Sequence, residues 1–200
     1  MLTDTTPDIY LASNSPRRRE LLDQIGVRYG WLAADVDEAR RPDESPEVYV
    51  LRLALEKARQ GLLARGERTP LPVLGADTIV VLDEQVLGKP ETHEQGVAML
   101  AALSGRTHRV LTAVALADGE REATRLSVSH VSFREIAPEE AENYWNTGEP
   151  WDKAGGYAIQ GRGAVFIERL EGSYSGVMGL PLFETAQLLD EFGVGYQRHW

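Results

Sequence analysis

The chain has 200 residues, of which 42% are hydrophobic and 26% charged, with a formal net charge of −10 and no cysteine. That length suits one good-sized domain or two small lobes, and the net charge argues against binding nucleic acid through a broad basic face. Without cysteine there are no disulfides and no thiolate chemistry, which fits a reducing compartment such as the cytoplasm. The polar, acidic start Met1–Asp8 does not read as a signal peptide, and no run of about 18 apolar residues offers a membrane span.

In chain order, Ile9–Ala12 reads as a short buried strand, and Ser13–Ser15 as a polar turn. A helix then opens with Ser15 as N-cap and Pro16 at its first position. Gly26 is a natural helix stop, and Tyr29–Ala33 a second strand. An acidic loop, Asp35–Pro42, precedes a long helix that starts at Ser45-Pro46 and carries Leu51, Leu55, Ala58 and Leu62 at helical spacing. Val73–Ala76 and Ile79–Leu82 are extended on either side of Asp77-Thr78. Thr92-His93-Glu94-Gln95 is a capping-box pattern for a helix that ends at Ser104-Gly105. Arg109–Leu116 alternates as a half-buried strand, and Asp118-Gly119 turns the chain. On the returning strand Leu126 and Val128 share one phase and Val131 and Phe133 the other, which predicts a bulge near Ser129-His130. A helix runs from Pro138 to Gly148. A Gly-rich loop, Asp152–Gly163, leads to a strand at Ala164–Arg169, then a turn at Glu171-Gly172 and a final helix from Pro181 to Phe192. Hairpins mixed with helices point to α/β with a mixed sheet.

Arg17, Arg18 and Arg19 lie in the first turn of a helix, beside unpaired N–H groups that repel cations. An anion reverses that sign. Free N–H groups, the hydroxyls of Ser13 and Ser15, and guanidinium forks together suit a phosphate. Asp77 ends an apolar run, where it is either a turn-forming residue or a carboxylate that activates water or holds metal. Glu38, in the acidic loop, is a second candidate carboxylate. Lys57 on the long helix and Lys89 in Gly88-Lys89-Pro90 are cations that a polyphosphate requires in number. Four glycines surround Gln160, either a mobile loop or backbone meeting a ligand closely. The planar amide of Gln160 matches the acceptor–donor–acceptor edge of uracil or thymine. His93, His108, His130 and His199 lack ligand spacing and read as structural or surface residues. Trp31, Trp145, Trp151 and Trp200 form no basic stacking platform. Near the end, Phe192, Tyr196 and Trp200 suit either an exposed contact or the core of the last helix.

Five ordered motifs resemble one family. Leu11–Arg18, Gly75-Ala76-Asp77-Thr78, Gly88-Lys89-Pro90, Leu103–His108 and Asp152–Gly161 together resemble the Maf nucleoside triphosphate pyrophosphatases over residues 9–192. The resemblance implies a long mixed, twisted sheet with flanking helices, in a single domain of two lobes around a cleft, as in the inosine-triphosphate pyrophosphatases. It implies hydrolysis between the α- and β-phosphates, and the loop ending Ala158-Ile159-Gln160-Gly161 resembles the branch acting on dTTP and UTP. It implies Asp77 as proton acceptor and Arg17, Thr78 and Gln160 as specificity positions. Ser13, Arg18, Glu38, Lys57 and Lys89 fall where the family lines its phosphate and metal site. Mg²⁺ or Mn²⁺ on Asp77 and Glu38 fits that chemistry. The expected partner is a small nucleotide, with no nucleic acid or membrane, and the family's habit leaves a homodimer open. A non-catalytic nucleotide-binding regulator of cell division and a simple anion-binding module are the competing readings.

Overall fold

A seven-stranded mixed sheet organises the chain, and the computed structural model describes residues 6–200, with the backbone but not the side chain of His199. The strands are β1 Ile9–Leu11, β2 Tyr29–Trp31, β3 Val73–Leu82, β4 Gln85–Leu87, β5 Thr107–Ala117, β6 Glu122–Phe133 and β7 Ile167–Glu171. Their order is β2-β1-β3-β5-β6-β7, with β4 beside β3. β1 is parallel to β2 and β3, whereas β4 on β3 and β7 on β6 are antiparallel. The helices are α1 Pro16–Gln24, α2 Pro46–Arg65, α3 His93–Leu103, α4 Pro138–Trp145, α5 Tyr174–Met178 and α6 Leu182–Glu191. The mixed sheet with flanking helices is the architecture that the pattern of hairpins and helices implied. Two compact units divide the chain: the first runs to Asp77 and adds Thr112–Leu126 and Gly179–Trp200, and the second holds Thr78–Leu111 and Ser127–Met178. The expectations for residues 1–5 and for the His199 side chain lie outside the described residues.

In the first unit α2 packs on β3 almost backbone to backbone. A Cβ on Gly75 would lie 2.3 Å from the Ala54 carbonyl oxygen and 2.5 Å from the Ala58 nitrogen, so only glycine admits the helix. The face turned inward is therefore small: Val50, Leu53, Ala54, Ala58 and Gly61 are buried. This corrects the expected stripe, of which only Ala58 is fully buried, while Leu51, Leu55 and Leu62 flank the contact half-buried. Close approach selected small side chains for the inner face and left the leucines at its edges. Phe192 and Tyr196 are buried, so they complete a core and offer no contact surface. Trp200 stays exposed, with its Nε1–H donating to the Ile25 carbonyl at 2.8 Å.

The second unit is built on Leu100, Leu103, Val131, Phe133, Tyr144, Tyr157 and Phe166. His108 is buried among them, bonded through Nε2 to the Tyr157 hydroxyl at 2.7 Å, and burial pushes its pKa down to about 4. It is a structural histidine, as its lack of ligand spacing suggested. The β3–β4 hairpin was not legible, because its turn residues Asp83 and Glu84 take φ of 48° and 64° without a glycine. Arg106 and Arg109 hold those two carboxylates at 2.6 Å each. The alternation of burial does not slip at Ser129-His130, where a bulge was expected. Ser127, Ser129, Val131 and Phe133 all point inward, Val128 is exposed, and the pairing shifts instead between Ser132 and Phe133. Hydrophobicity misled here, because serines rather than Val128 face inward. The strand expected at Ala164–Arg169 begins only at Ile167. Arg162–Phe166 is a 3-10 turn, ending where the Phe166 carbonyl accepts the Arg134 N–H at 2.9 Å.

Candidate functional site

Ser15 occupies the N-cap of α1 and Pro16 its first position, but the Ser15 hydroxyl makes no capping bond and no acid lies in the first turn. With no bond from the Ser15 hydroxyl and no acid in the first turn, the positive end of the helix favours an anion. Ser13 is buried beside it. Its Oγ accepts the Ser15 N–H at 3.2 Å and Arg18 Nη1 at 3.0 Å. Arg18 Nε donates to the Gly179 carbonyl at 2.8 Å, and Trp31 Nε1 donates to the Ser13 carbonyl at 3.2 Å. Burial lowers the pKa of Arg18, the Asp77 charge opposes it, the Arg17 charge adds to it, and Glu38 opposes it again. Its guanidinium stays charged at any physiological pH. The charges of Asp77, Arg17 and Glu38 thus all act on the Arg18 guanidinium.

Gly75, by admitting α2, sets Lys57 opposite the next residue on the same phase of β3, which is Asp77. Lys57 Nζ lies 2.6 Å from Asp77 Oδ1 and 2.7 Å from Glu38 Oε1. The Lys57 and Asp77 side chains are 11% and 12% exposed and Glu38 57%, so the first pair is desolvated and Glu38 approaches from the surface. Among the described residues nothing is hydrogen-bonded to Asp77 Oδ2, which leaves that oxygen able to accept a proton. The acidic loop is held by groups that sequence reasoning missed. Tyr49 donates its hydroxyl to the Glu38 carbonyl at 2.7 Å, and Arg52 bonds both Glu44 oxygens and the Ala39 carbonyl. The Arg52 hydrogen bonds hold Glu44 at about 2 against the opposing effect of burial, and Arg52 is raised in turn. The only sequence signal for this network was Arg52 and Glu56 at i, i+4 spacing.

In the second unit Thr78 is half-buried and shares its phase of β3 with Val80, against which Gly155 packs: a Cβ on Gly155 would lie 2.9 Å from Val80 Cγ2. Gly155 N–H donates to the Gly88 carbonyl at 3.0 Å, which ties the Gly-rich loop to the segment carrying Lys89. Lys89 and Gln160 are exposed, and neither side chain has a hydrogen-bond partner among the described residues. The loop is a series of 3-10 turns with Tyr157, Ala158 and Ile159 buried, rather than a mobile surface loop. Three of its four glycines stand against protein groups. A Cβ on Gly161 would meet the Glu149 carboxylate at 2.4 Å, and one on Gly163 the Tyr144 hydroxyl at 2.7 Å. Contacts with protein groups by themselves account for these glycines. Burial raises the pKa of Glu149, but hydrogen bonds from Tyr144, Arg162 and Gly163 outweigh it and leave the carboxyl below its ordinary value.

Among the described residues no three His, Cys, Asp or Glu cluster in a way that could hold a metal, and no helix is long and apolar enough to cross a membrane. A family profile described as Maf-like protein matches residues 8–192. A dTTP/UTP pyrophosphatase of Alkalilimnicola ehrlichii is 69% identical over the full length of both chains. One of Saccharophagus degradans is 59% identical, covering 96% of this chain and 91% of the relative. The Ham1 protein of Staphylococcus aureus superposes with a TM-score of 0.40 at 17% identity, covering 65% of this chain and 72% of that one. That structural likeness is too slight to carry an argument.

Proposed function

The chain belongs to the Maf-like family, and from that premise we propose that it is a nucleoside triphosphate pyrophosphatase that hydrolyses dTTP and UTP to the monophosphate and pyrophosphate. The observation that carries this reading is Lys57, whose ammonium joins Asp77 to Glu38. Phosphoanhydride hydrolysis needs an in-line water, a proton acceptor and charge neutralisation, and no covalent nucleophile. Asp77 is the acceptor, through Oδ2. Ser13 has its oxygen occupied by Ser15 N–H and Arg18, so its own hydroxyl proton is left to donate to a phosphate oxygen. Arg17, the N-terminal end of the α1 dipole, Lys57 and Lys89 supply positive charge, with Arg18 both charging the site and fixing Ser13. Thr78 and Gln160 are assigned to substrate selection, Gln160 to the uracil or thymine edge.

We infer a divalent cation as well, with the nucleotide's own oxygens supplying the further ligands that the described residues do not cluster to provide. Two carboxylates from different segments converge on one cationic centre, and oxygen pairs completed by phosphate and water are what Mg²⁺ takes. Asp77 and Glu38 would hold such an ion, which would neutralise phosphate charge and lower the pKa of a bound water. Turnover of a panel of nucleoside triphosphates with Mg²⁺ or Mn²⁺ tests the reading. Pyrophosphate from dTTP and UTP is expected, and nucleotide binding without turnover would favour the regulator.

A further inference from the structure

Gln160 leaves base selection incompletely explained. Its amide is exposed and unpartnered among the described residues, so the side chain by itself can rotate to suit either uracil or cytosine. The backbone on both sides of it, in contrast, is fixed from one place. Glu149 Oε1 accepts the Tyr144 hydroxyl at 2.6 Å and the Gly163 N–H at 3.1 Å, while Oε2 accepts the Arg162 N–H at 3.0 Å. The same Tyr144 oxygen accepts the Ala158 N–H at 3.0 Å. A further bond from Gly161 N–H to the Ala158 carbonyl, 3.2 Å, closes the turn that carries Gln160. Any side chain at Gly161 would collide with the Glu149 carboxylate, so the loop is shaped around it.

We propose that Glu149, acting directly on Arg162 and Gly163 and through Tyr144 on Ala158, is a positioning residue for base selection: it holds the 158–163 backbone in the one conformation from which that turn discriminates uracil or thymine from cytosine. The proposal rests on the pyrimidine nucleotide reading above. A carboxylate can accept at every face it offers to N–H and O–H donors, whereas a glutamine amide turns one of those faces into a donor. Glu149→Gln therefore breaks the pattern with little change in volume, and Tyr144→Phe removes the relay to Ala158.

The test measures amide hydrogen exchange across 158–163, together with kcat and KM for UTP and CTP, in the full chain and both variants. Glu149→Gln is expected to speed exchange at Arg162 and Gly163, raise KM for UTP with kcat nearly unchanged, and narrow the UTP-to-CTP ratio of kcat/KM about tenfold, the scale of one charged hydrogen bond. Tyr144→Phe is expected to follow in the same direction, and decides the matter if the Gln variant does not fold. Faster exchange with an unchanged ratio would make Glu149 merely structural and overturn the proposal, as would unchanged exchange. A wild-type protein that turns over neither nucleotide would overturn the pyrophosphatase reading itself, before any variant is made, and base selection with it. Exchange would then still report separately whether Glu149 pins the loop.

Discussion

Asp77 in the first unit and Glu149 in the second are both carboxylates in partly desolvated surroundings, and they are saturated to different degrees. Glu149 accepts three donors, from Tyr144, Arg162 and Gly163, and both its oxygens are occupied. Asp77 meets one ammonium through Oδ1 and keeps Oδ2 open among the described residues. A saturated carboxylate fixes backbone, while one with spare acceptor capacity can take a proton in a reaction. The difference also separates what each partner does: Tyr144 relays to another backbone N–H, whereas Lys57 brings in a second carboxylate, Glu38.

The largest effect that could break this contrast is at Lys57. Lys57→Met leaves Asp77 without its counter-ion and beside the like charge of Glu38, so a loss of about 3 kcal/mol in stability is expected along with activity. Urea unfolding measures it, and an unchanged midpoint would show that the ion pair is not desolvated. Asp77→Asn keeps Lys57 paired with Glu38 and should leave the melting temperature nearly unchanged while turnover falls ~10²-fold or more. Near-wild-type turnover would move the proton acceptor to another group.

A smaller effect comes from His108. Its folded pKa of about 4 lies below the unfolded value of 6.5, so the unfolded chain binds the extra proton between those pH values and stability rises with pH across that window. Stability should therefore fall by about 2 kcal/mol from pH 7 to pH 5. Glu44, held at about 2, loses its contribution only at lower pH, as pH falls through that value. Unfolding of His108→Gln across the same range should show a flatter dependence, and an equal slope would place the titration elsewhere. Arg17→Ala and Lys89→Ala should each lower kcat/KM about tenfold through lost phosphate charge. Gln160→Ala should be the mildest, narrowing the UTP-to-CTP ratio less than Glu149→Gln does, because the turn that carries it stays pinned.

Residue type and spacing carried most of the architecture. The β1 strand, the Pro16 start of α1, the Ser45 cap of α2 and the Asp118-Gly119 turn all depend on local chemistry, and each occurs where local chemistry put it. Thr92 caps α3 as expected, though Gln95 reaches back to the Glu91 N–H, one residue earlier than a capping box requires. Long-range contacts were not legible. The inner face of α2 depends on Gly75 of another element, and α5, five residues long, has too little periodicity to register. At the candidate site, the motifs singled out Ser13, Arg18 and Asp77, while Lys57 entered as a cation on the long helix and through the family resemblance; geometry joins them in pairs, Ser13 with Arg18 and Lys57 with Asp77. Glu149 stayed hidden because nothing in a lone acid before Pro150 says that a glycine at 161 makes room for it.

The most direct measurement is hydrolysis of UTP in water enriched in heavy oxygen, with the products separated for the wild type and Asp77→Asn. UMP and pyrophosphate should form, with the label in UMP, and their formation should collapse in the Asn variant while the fold persists. Release of orthophosphate with UDP, or equal rates from the two proteins, would contradict the account.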